Sequence, residues 1–401
     1  MAERSNYIPK AMLGRQILVV GIASLIAVQI VRNAVVANYA DSKPDVAGGI
    51  WKGHPAAEIS QALVSIAQSA RSGSPADKAA FSMVDDAALK SPLSAEPFLV
   101  HGVQARLDGN GTLAGNAFRA AELRDGRSVP ARYFLADYYL TSGDVARGLR
   151  EIAILARMIP TGVAALSPYV ASFARDAHHR AQLKALFQSE PLLEDSTLSV
   201  LAAEPGNSDL ILQLATPAKS GPAPSWPNRL VSSLIADHDY AKAYQVWRTF
   251  GKAHASPGSL IYDASFEDAN SPPPFNWTLT SSALGVAERA PGGKLHVVYD
   301  GADDGVLAWQ LLLLKPGHYR IAMRATGDFG AAGSLTWTLS CADSSVKLLT
   351  VRLAPKVQTS FVIPSGCAAQ RLELAGAAPN IPDDADVTIS DLTLNEERSG
   401  G

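Results

Sequence analysis

Residues 131–160 read ARYFLADYYLTSGDVARGLREIAILARMIP, and this stretch decides how the helical part of the chain is built. Apolar side chains recur at helical spacing on both sides of Ser142-Gly143-Asp144, and Pro160 stops the second run. The pattern is a helical hairpin. Similar amphipathic runs, with breaks rich in Gly, Pro and Asp, extend over residues 56–255. An internal spacing of 34 links two copies: Gly102, Ala114, Phe118, Ala121 and Gly126 recur as Ala136, Gly148, Ile152, Leu155 and Pro160. The small pairs Gly102/Ala136 and Ala114/Gly148 let antiparallel helices approach closely. Phe118 and Ile152 fill the space toward the next hairpin, and Gly126 and Pro160 end the second helix. No single hairpin buries its apolar face alone, so neighbours must stack.

These positions resemble the tetratricopeptide repeat. Residues 131–160 are the better copy, and residues 95–126 (AEPFLVHGVQARLDGNGTLAGNAFRAAELRDG) the poorer one. A third hairpin over 166–191 keeps Leu186 at the expected offset. Another over 230–255 carries Asp239-Tyr240-Ala241-Lys242-Ala243 with Trp247 and Phe250. A Pro-rich break, PAKSGPAPSWPN at 217–228, interrupts the array. The resemblance implies a module that binds a protein partner on a concave surface. The alternative is a spacer holding the following domain away from a membrane.

The amino end is membrane-directed. A polar start with Arg4, Lys10 and Arg15 leads into the uncharged run QILVVGIASLIAVQIV, residues 16–31, followed by Arg32. About 20 helical residues cross a bilayer core of about 30 Å. Residues 13–37 reach that length if Arg15 and Arg32 snorkel to the two interfaces. The expectation is a cytoplasmic leader over 1–12, a transmembrane signal anchor over 13–37 and a linker over 38–55. The alternatives are a cleaved signal peptide, with Val35-Val36-Ala37 as the cleavage site and Arg32 counting against it, and a buried core helix, which the basic leader and terminal position disfavour. The anchor and signal-peptide readings place the bulk of the chain in the periplasm or outside, tethered to the cytoplasmic membrane by a single pass in the anchor case; the core-helix reading does not.

Helical periodicity stops near Ser256, and alternation with β-branched and aromatic residues replaces it. Candidate strands are 259–266, 275–280, 294–299, 306–314, 319–325, 334–341, 346–352, 359–363, 371–375 and 387–394. So many short strands predict a sandwich of two sheets over residues 258–396, with 397–401 as a tail. The fold class is therefore multidomain: a transmembrane helix, an all-α region of helical hairpins, then an all-β jelly-roll sandwich.

The order of landmarks resembles the jelly-roll carbohydrate-binding modules of the galactose-binding-like superfamily. Ser265-Phe266-Glu267-Asp268 opens the domain, and Pro274-Phe275-Asn276-Trp277 follows. Gln310 and Leu314-Lys315-Pro316-Gly317-His318-Tyr319 stand midway, and VTISDLTL at 387–394 closes it. Alternation puts Trp337 with two leucines in the core, and Tyr319, Ile321 and Met323 on one apolar face, leaving His318, Arg320 and Arg324 on the other. Gln310 is the one polar residue of 306–314. With its face aligned to Arg320, Thr336 and Thr338, a polar patch crosses adjacent strands, with Trp309 or Tyr299 as the stacking partner that sugar recognition requires. The alternative is an ordinary solvated sheet face. The resemblance further implies one structural calcium, with Glu267 and Asp391 as carboxylate ligands. Cys341 and Cys367 fall in this domain, and outside the cytoplasm they are expected to be bridged, with buried free thiols as the alternative.

Composition limits the remaining functions. Lys plus Arg number 35 against 38 Asp plus Glu, a net charge of −3, which gives no footprint for nucleic acid. The chain contains no Gly-x-x-x-x-Gly-Lys-Ser/Thr, His-Glu-x-x-His or Gly-x-Ser-x-Gly. His178 and His179 are adjacent, so both cannot face one metal from a helix, and Leu107-Asp108-Gly109-Asn110-Gly111-Thr112 reads as a turn between helices. The sequence-level expectation is a non-enzymatic, membrane-anchored envelope protein with a glycan-binding-like module, in the setting of exopolysaccharide assembly or export. A protein–protein adaptor whose sandwich binds no sugar, and a glycan-active enzyme, are the alternatives.

Overall fold

A computed structural model describes residues 10–72, 74, 77–216, 223–250, 259–330, 334–344, 346–379 and 383–397. The chain divides into two compact units, Met1–Leu166 and Ser167–Gly401. The first holds α1 (Lys10–Ala40), α2 (Pro44–Ile50), α3 (Pro55–Arg71), α4 (Lys78–Lys90), α5 (Glu96–Leu107), α6 (Gly111–Arg124), α7 (Val129–Thr141) and α8 (Val145–Met158). Next come α9 (Gly162–Ala174), within which the division falls, and α10 (Arg180–Ser189), α11 (Pro191–Leu201), α12 (Ser208–Leu214), α13 (Trp226–Ala236) and α14 (Tyr240–Phe250).

The hairpins form for the reasons written in their turns. Gly109-Asn110, Gly143-Asp144 and His238-Asp239 make the same corner. Its first residue is left-handed, with φ of 77°, 85° and 62°. The side chain of the second accepts the N–H of Leu113, Arg147 or Lys242, capping the helix that follows. Side chains then set the helix spacing. A Cβ on Gly102 would lie 2.4 Å from the Phe118 ring, so α5 closes on α6 only because that position is bare. Phe118 is fully buried and stacks on Phe134 of α7 at 5.0 Å between ring centroids, carrying the core into the next hairpin.

The apolar helix α1 is exposed from Leu18 to Val31 and long enough to cross a membrane. Its last two turns are different. Val36 and Ala40 are buried against Ala47 of α2 and Ala57 of α3. Residues 38–55, read from the sequence as a linker, hold the end of α1 and all of α2.

The second unit ends in an antiparallel β-sandwich. Its strands are β1 (Thr278–Leu279), β2 (Ser281–Ser282), β3 (Gly285–Ala290), β4 (Lys294–Tyr299), β5 (Gly305–Leu312), β6 (Gly317–Asp328), β7 (Leu335–Cys341), β8 (Lys347–Arg352), β9 (Lys356–Ile363), β10 (Gln370–Gly376) and β11 (Ala385–Glu396). One sheet has the order β1-β5-β10-β7-β8 and the other β2-β3-β4-β11-β6-β9. Between them lies a continuous core in which Trp337, Leu295, Val297, Leu372, Leu374 and Val387 are fully buried. Residues 259–266, expected as a strand, form turns instead, because Asp263 and Phe266 take left-handed φ values of 49° and 53°. A strand that the alternation does not reveal, β3, pairs with β4 along its whole length.

The last hairpin packs on one end of the sandwich within this unit. Trp247 of α14 donates its indole N–H to the carbonyl of Pro272 at 2.6 Å. Its ring meets Tyr262 at 4.8 Å, and Tyr244 meets Phe275 at 5.1 Å.

Candidate functional site

The five-stranded sheet gives the sandwich a polar outer face built by simple alternation. In β10, Gln370, Leu372 and Leu374 are fully buried, so Arg371 and Glu373, which alternate with them, project outward. Register then places their neighbours. Glu373 stands between Trp309 of β5 and Thr338 of β7, and Thr338 is opposite Thr350 of β8. Thr336 stands opposite Ala375 and Arg352. The Arg371 guanidinium carbon lies 4.3 Å from the Trp309 ring centroid, while its Nε donates to Glu373 Oε2 at 2.9 Å. An indole, a guanidinium, a carboxylate and threonine hydroxyls thus share one face. That set puts an indole, with the Arg371 guanidinium over its ring, beside hydrogen-bonding groups of which Thr338 is buried; rings next to such groups are what polyhydroxylated ligands use.

Of the six residues expected to form the polar patch, Trp309, Thr336 and Thr338 lie on one face of the same sheet, with β10 between Trp309 and the two threonines. The other three lie elsewhere. Gln310 points into the sandwich and is fully buried; its Nε2 donates to the carbonyls of Tyr262 at 2.8 Å and Phe275 at 2.9 Å. The expected alignment of Gln310 with Arg320 and the threonines is therefore corrected. A single polar residue in an apolar strand here serves backbone carbonyls of an irregular segment, because buried carbonyls must be paired. Arg320 belongs to β6 in the other sheet, where it pairs with Glu397. Tyr299 is fully buried and donates to the Asp303 carbonyl at 2.9 Å, so it is no stacking platform. Sequence reasoning missed Arg371 and Glu373. Their alternation with leucines was visible in QRLELAG, but their place beside Trp309 depends on strand order.

Glu267 and Asp391, the expected calcium ligands, each have a near neighbour of their own. Asp391 sits in the β11 bulge with a side chain 67% exposed, and Arg324 lies 3.7 Å away. Glu267 takes a contact from the Ser265 hydroxyl at 3.4 Å. Among the described residues no group of three or more His, Cys, Asp or Glu side chains gathers in metal-binding geometry. The buried carboxylate in this region is Asp263, and its charge is already answered. It accepts the N–H groups of Glu267 and Asp268, and Arg289 Nη2 lies 3.3 Å from it and 3.2 Å from Asn276 Oδ1. Burial pushes the Asp263 carboxyl above its ordinary pKa, with these partners pulling against it. Asp268 behaves oppositely: burial opposes its charge, yet the hydroxyls of Ser271 and Tyr262 and two N–H groups hold it well below the usual carboxylate range.

Cys341 and Cys367 are bonded, with Cα atoms 5.5 Å apart. A bridge of this kind belongs to an oxidising compartment outside the cytoplasm. The structure thus offers a polar and aromatic sheet face, a charge-compensated carboxylate cluster and a stapled sandwich. Comparison with protein-family models and with curated proteins gives no match to this chain.

Proposed function

We propose that this chain is a non-enzymatic, membrane-anchored envelope protein whose sandwich is a glycan-binding module and whose helical hairpins are a docking scaffold. The observation that carries this reading is the outer face of the five-stranded sheet, where Trp309 lies beside Arg371 and Glu373 of β10, with Thr336 and Thr338 on the strand beyond. Sugar rings stack on indoles while side chains of this kind hydrogen-bond their hydroxyls. The order of landmarks shared with jelly-roll carbohydrate-binding modules supports the same reading. The exposed apolar end of α1 and the disulfide support a single-pass anchor with the sandwich on the periplasmic or outer side. Assembly or export of an exopolysaccharide is the setting such a combination fits.

The test is affinity electrophoresis of the detergent-solubilised full-length protein through gels containing acidic and neutral polysaccharides. Retention that is lost in Trp309→Ala supports the glycan reading. Equal mobility in every gel overturns it. In that event the adaptor reading takes its place, favoured by the leucines that the first unit leaves open, Leu89, Leu93 and Leu123, each 83% exposed.

A further inference from the structure

We propose that α2 and Trp51 form a second membrane contact, seated in the phospholipid headgroup layer beside the point where α1 leaves the bilayer. The proposal rests on the anchor reading of α1 and adds to it where the membrane ends and what else touches it.

A helix rises 1.5 Å per residue, so the 20 residues from Leu13 to Arg32 already span about 30 Å. The bilayer core therefore needs nothing beyond Arg32. The structure agrees in its packing, since Val36 and Ala40 are buried by protein while Val28 and Val31 are more than 60% exposed. At the crossing point α2 folds back. Arg32 Nε donates to the carbonyl of Ile50 at 3.1 Å, and its guanidinium lies over the Trp51 ring at 4.5 Å. Trp51 meets His54 edge-on at 4.9 Å, and His54 pairs with Asn33 Oδ1 at 2.8 Å. Burial, with Arg32 nearby, lowers the His54 pKa against the pull of Glu58, so the imidazole adds no charge near neutrality.

This clasp leaves an apolar groove of about 460 Å³ between α1 and α2, lined by Ala27, Val28, Val31, Arg32, Val35 and Ile50. Its walls include the exposed stave of α1 itself. Whatever covers Val28 and Val31 also covers the groove, and for a membrane span that is lipid. Val46, one turn before Ile50 on α2, is 45% exposed and extends the apolar strip. Tryptophan and arginine stacked at the end of an apolar span are the side chains that settle at the headgroup level. Asp41 and Asp45 share the segment with Lys43 and Lys52, so net charge adds little and the apolar and aromatic groups make the seat.

The experiment reconstitutes the full-length protein in phosphatidylcholine vesicles brominated either near the carbonyl end or near the methyl end of the acyl chain. Emission of the Trp51→Phe variant is subtracted from that of the parent to isolate Trp51. The expected result is strong loss of this difference emission with bromine near the carbonyl end and weaker loss near the methyl end. Emission identical in plain and brominated vesicles, from protein that still floats with them, overturns the proposal and spares the anchor. Protein that does not float overturns the anchor reading itself. Should Trp51→Phe fail to fold, Val46→Cys carrying an environment-sensitive dye decides: a blue shift on reconstitution supports the contact, and an unchanged spectrum sinks it.

Discussion

Tyr240, the first residue of α14, donates its hydroxyl hydrogen bond to Asp343 Oδ1 at 2.5 Å, tying the last helical hairpin to the loop between β7 and β8. His238 reaches the same carboxylate at 2.7 Å from a left-handed backbone position. Burial, then the bond to Asp343, raises the Tyr240 pKa to about 12. An unfolded tyrosine ionises near pH 10. Between those values the unfolded chain holds fewer protons than the folded one, so this group's contribution is intact below pH 10 and is lost as pH rises toward 12. Tyr240→Phe should cost about 1 kcal/mol at neutral pH and flatten the alkaline decline. Chemical unfolding of the full-length protein at pH 7, 10 and 11 reads both effects, and an unchanged alkaline slope would refute the assignment.

Gln310 gives a sharper separation of structure from binding. Replacing it by leucine removes the donor to the carbonyls of Tyr262 and Phe275, a loss of about 1–3 kcal/mol. The expected outcome is a clearly lower unfolding midpoint with unchanged retention in polysaccharide gels below that midpoint. Retention lost in a folded Gln310→Leu protein would restore it to the ligand site.

The Cys341–Cys367 bridge joins residues 26 apart in sequence. Closing a loop of that length restricts the unfolded chain and contributes about 3 kcal/mol. The double change Cys341→Ala and Cys367→Ala should lower sandwich stability by about that amount under oxidising conditions. Adding a reductant should then affect the parent and leave the variant unmoved.

His296 lies on the six-stranded sheet between two acids, with Nε2 at 2.9 Å from Asp386 and Nδ1 at 3.2 Å from Glu288. Hydrogen bonding to Asp386, then to Glu288, raises its pKa above the ordinary histidine value. The stabilisation it brings is therefore fully present below about pH 6.5 and fades as pH rises through the folded value. His296→Gln should weaken the protein more at pH 5.5 than at pH 8. Equal losses at the two pH values would show that the imidazole acts without its charge.

Much of this architecture was legible because it is written in local patterns. The bounds of β4 match the expected strand, since Leu295, Val297 and Tyr299 alternate with half-exposed residues. Trp337 and the Tyr319, Ile321, Met323 face are buried as their periodicity implies. The hairpin corners were marked by Gly-Asn and Gly-Asp. What failed was information held in pairing. GVAERA gives little β signal, and β3 exists because β4 offers it a full ladder. Apolar Ile261 and Phe266 looked like a strand, but they reach the core from turns. Gln310 seemed a surface residue because the two carbonyls it serves lie 48 and 35 positions upstream. Trp309, Arg371 and Glu373 are neighbours only because β10 inserts between β5 and β7.

The seat of Trp247 on Pro272, with Tyr244 against Phe275, also bears on how the protein should be dissected. A protease nick between Phe250 and Ser259 would sever the covalent path and leave these aromatic contacts in place. The resulting peptides should elute together from a sizing column, and a fragment begun at Ser259 would expose Tyr262 and Phe275 to solvent and invite precipitation.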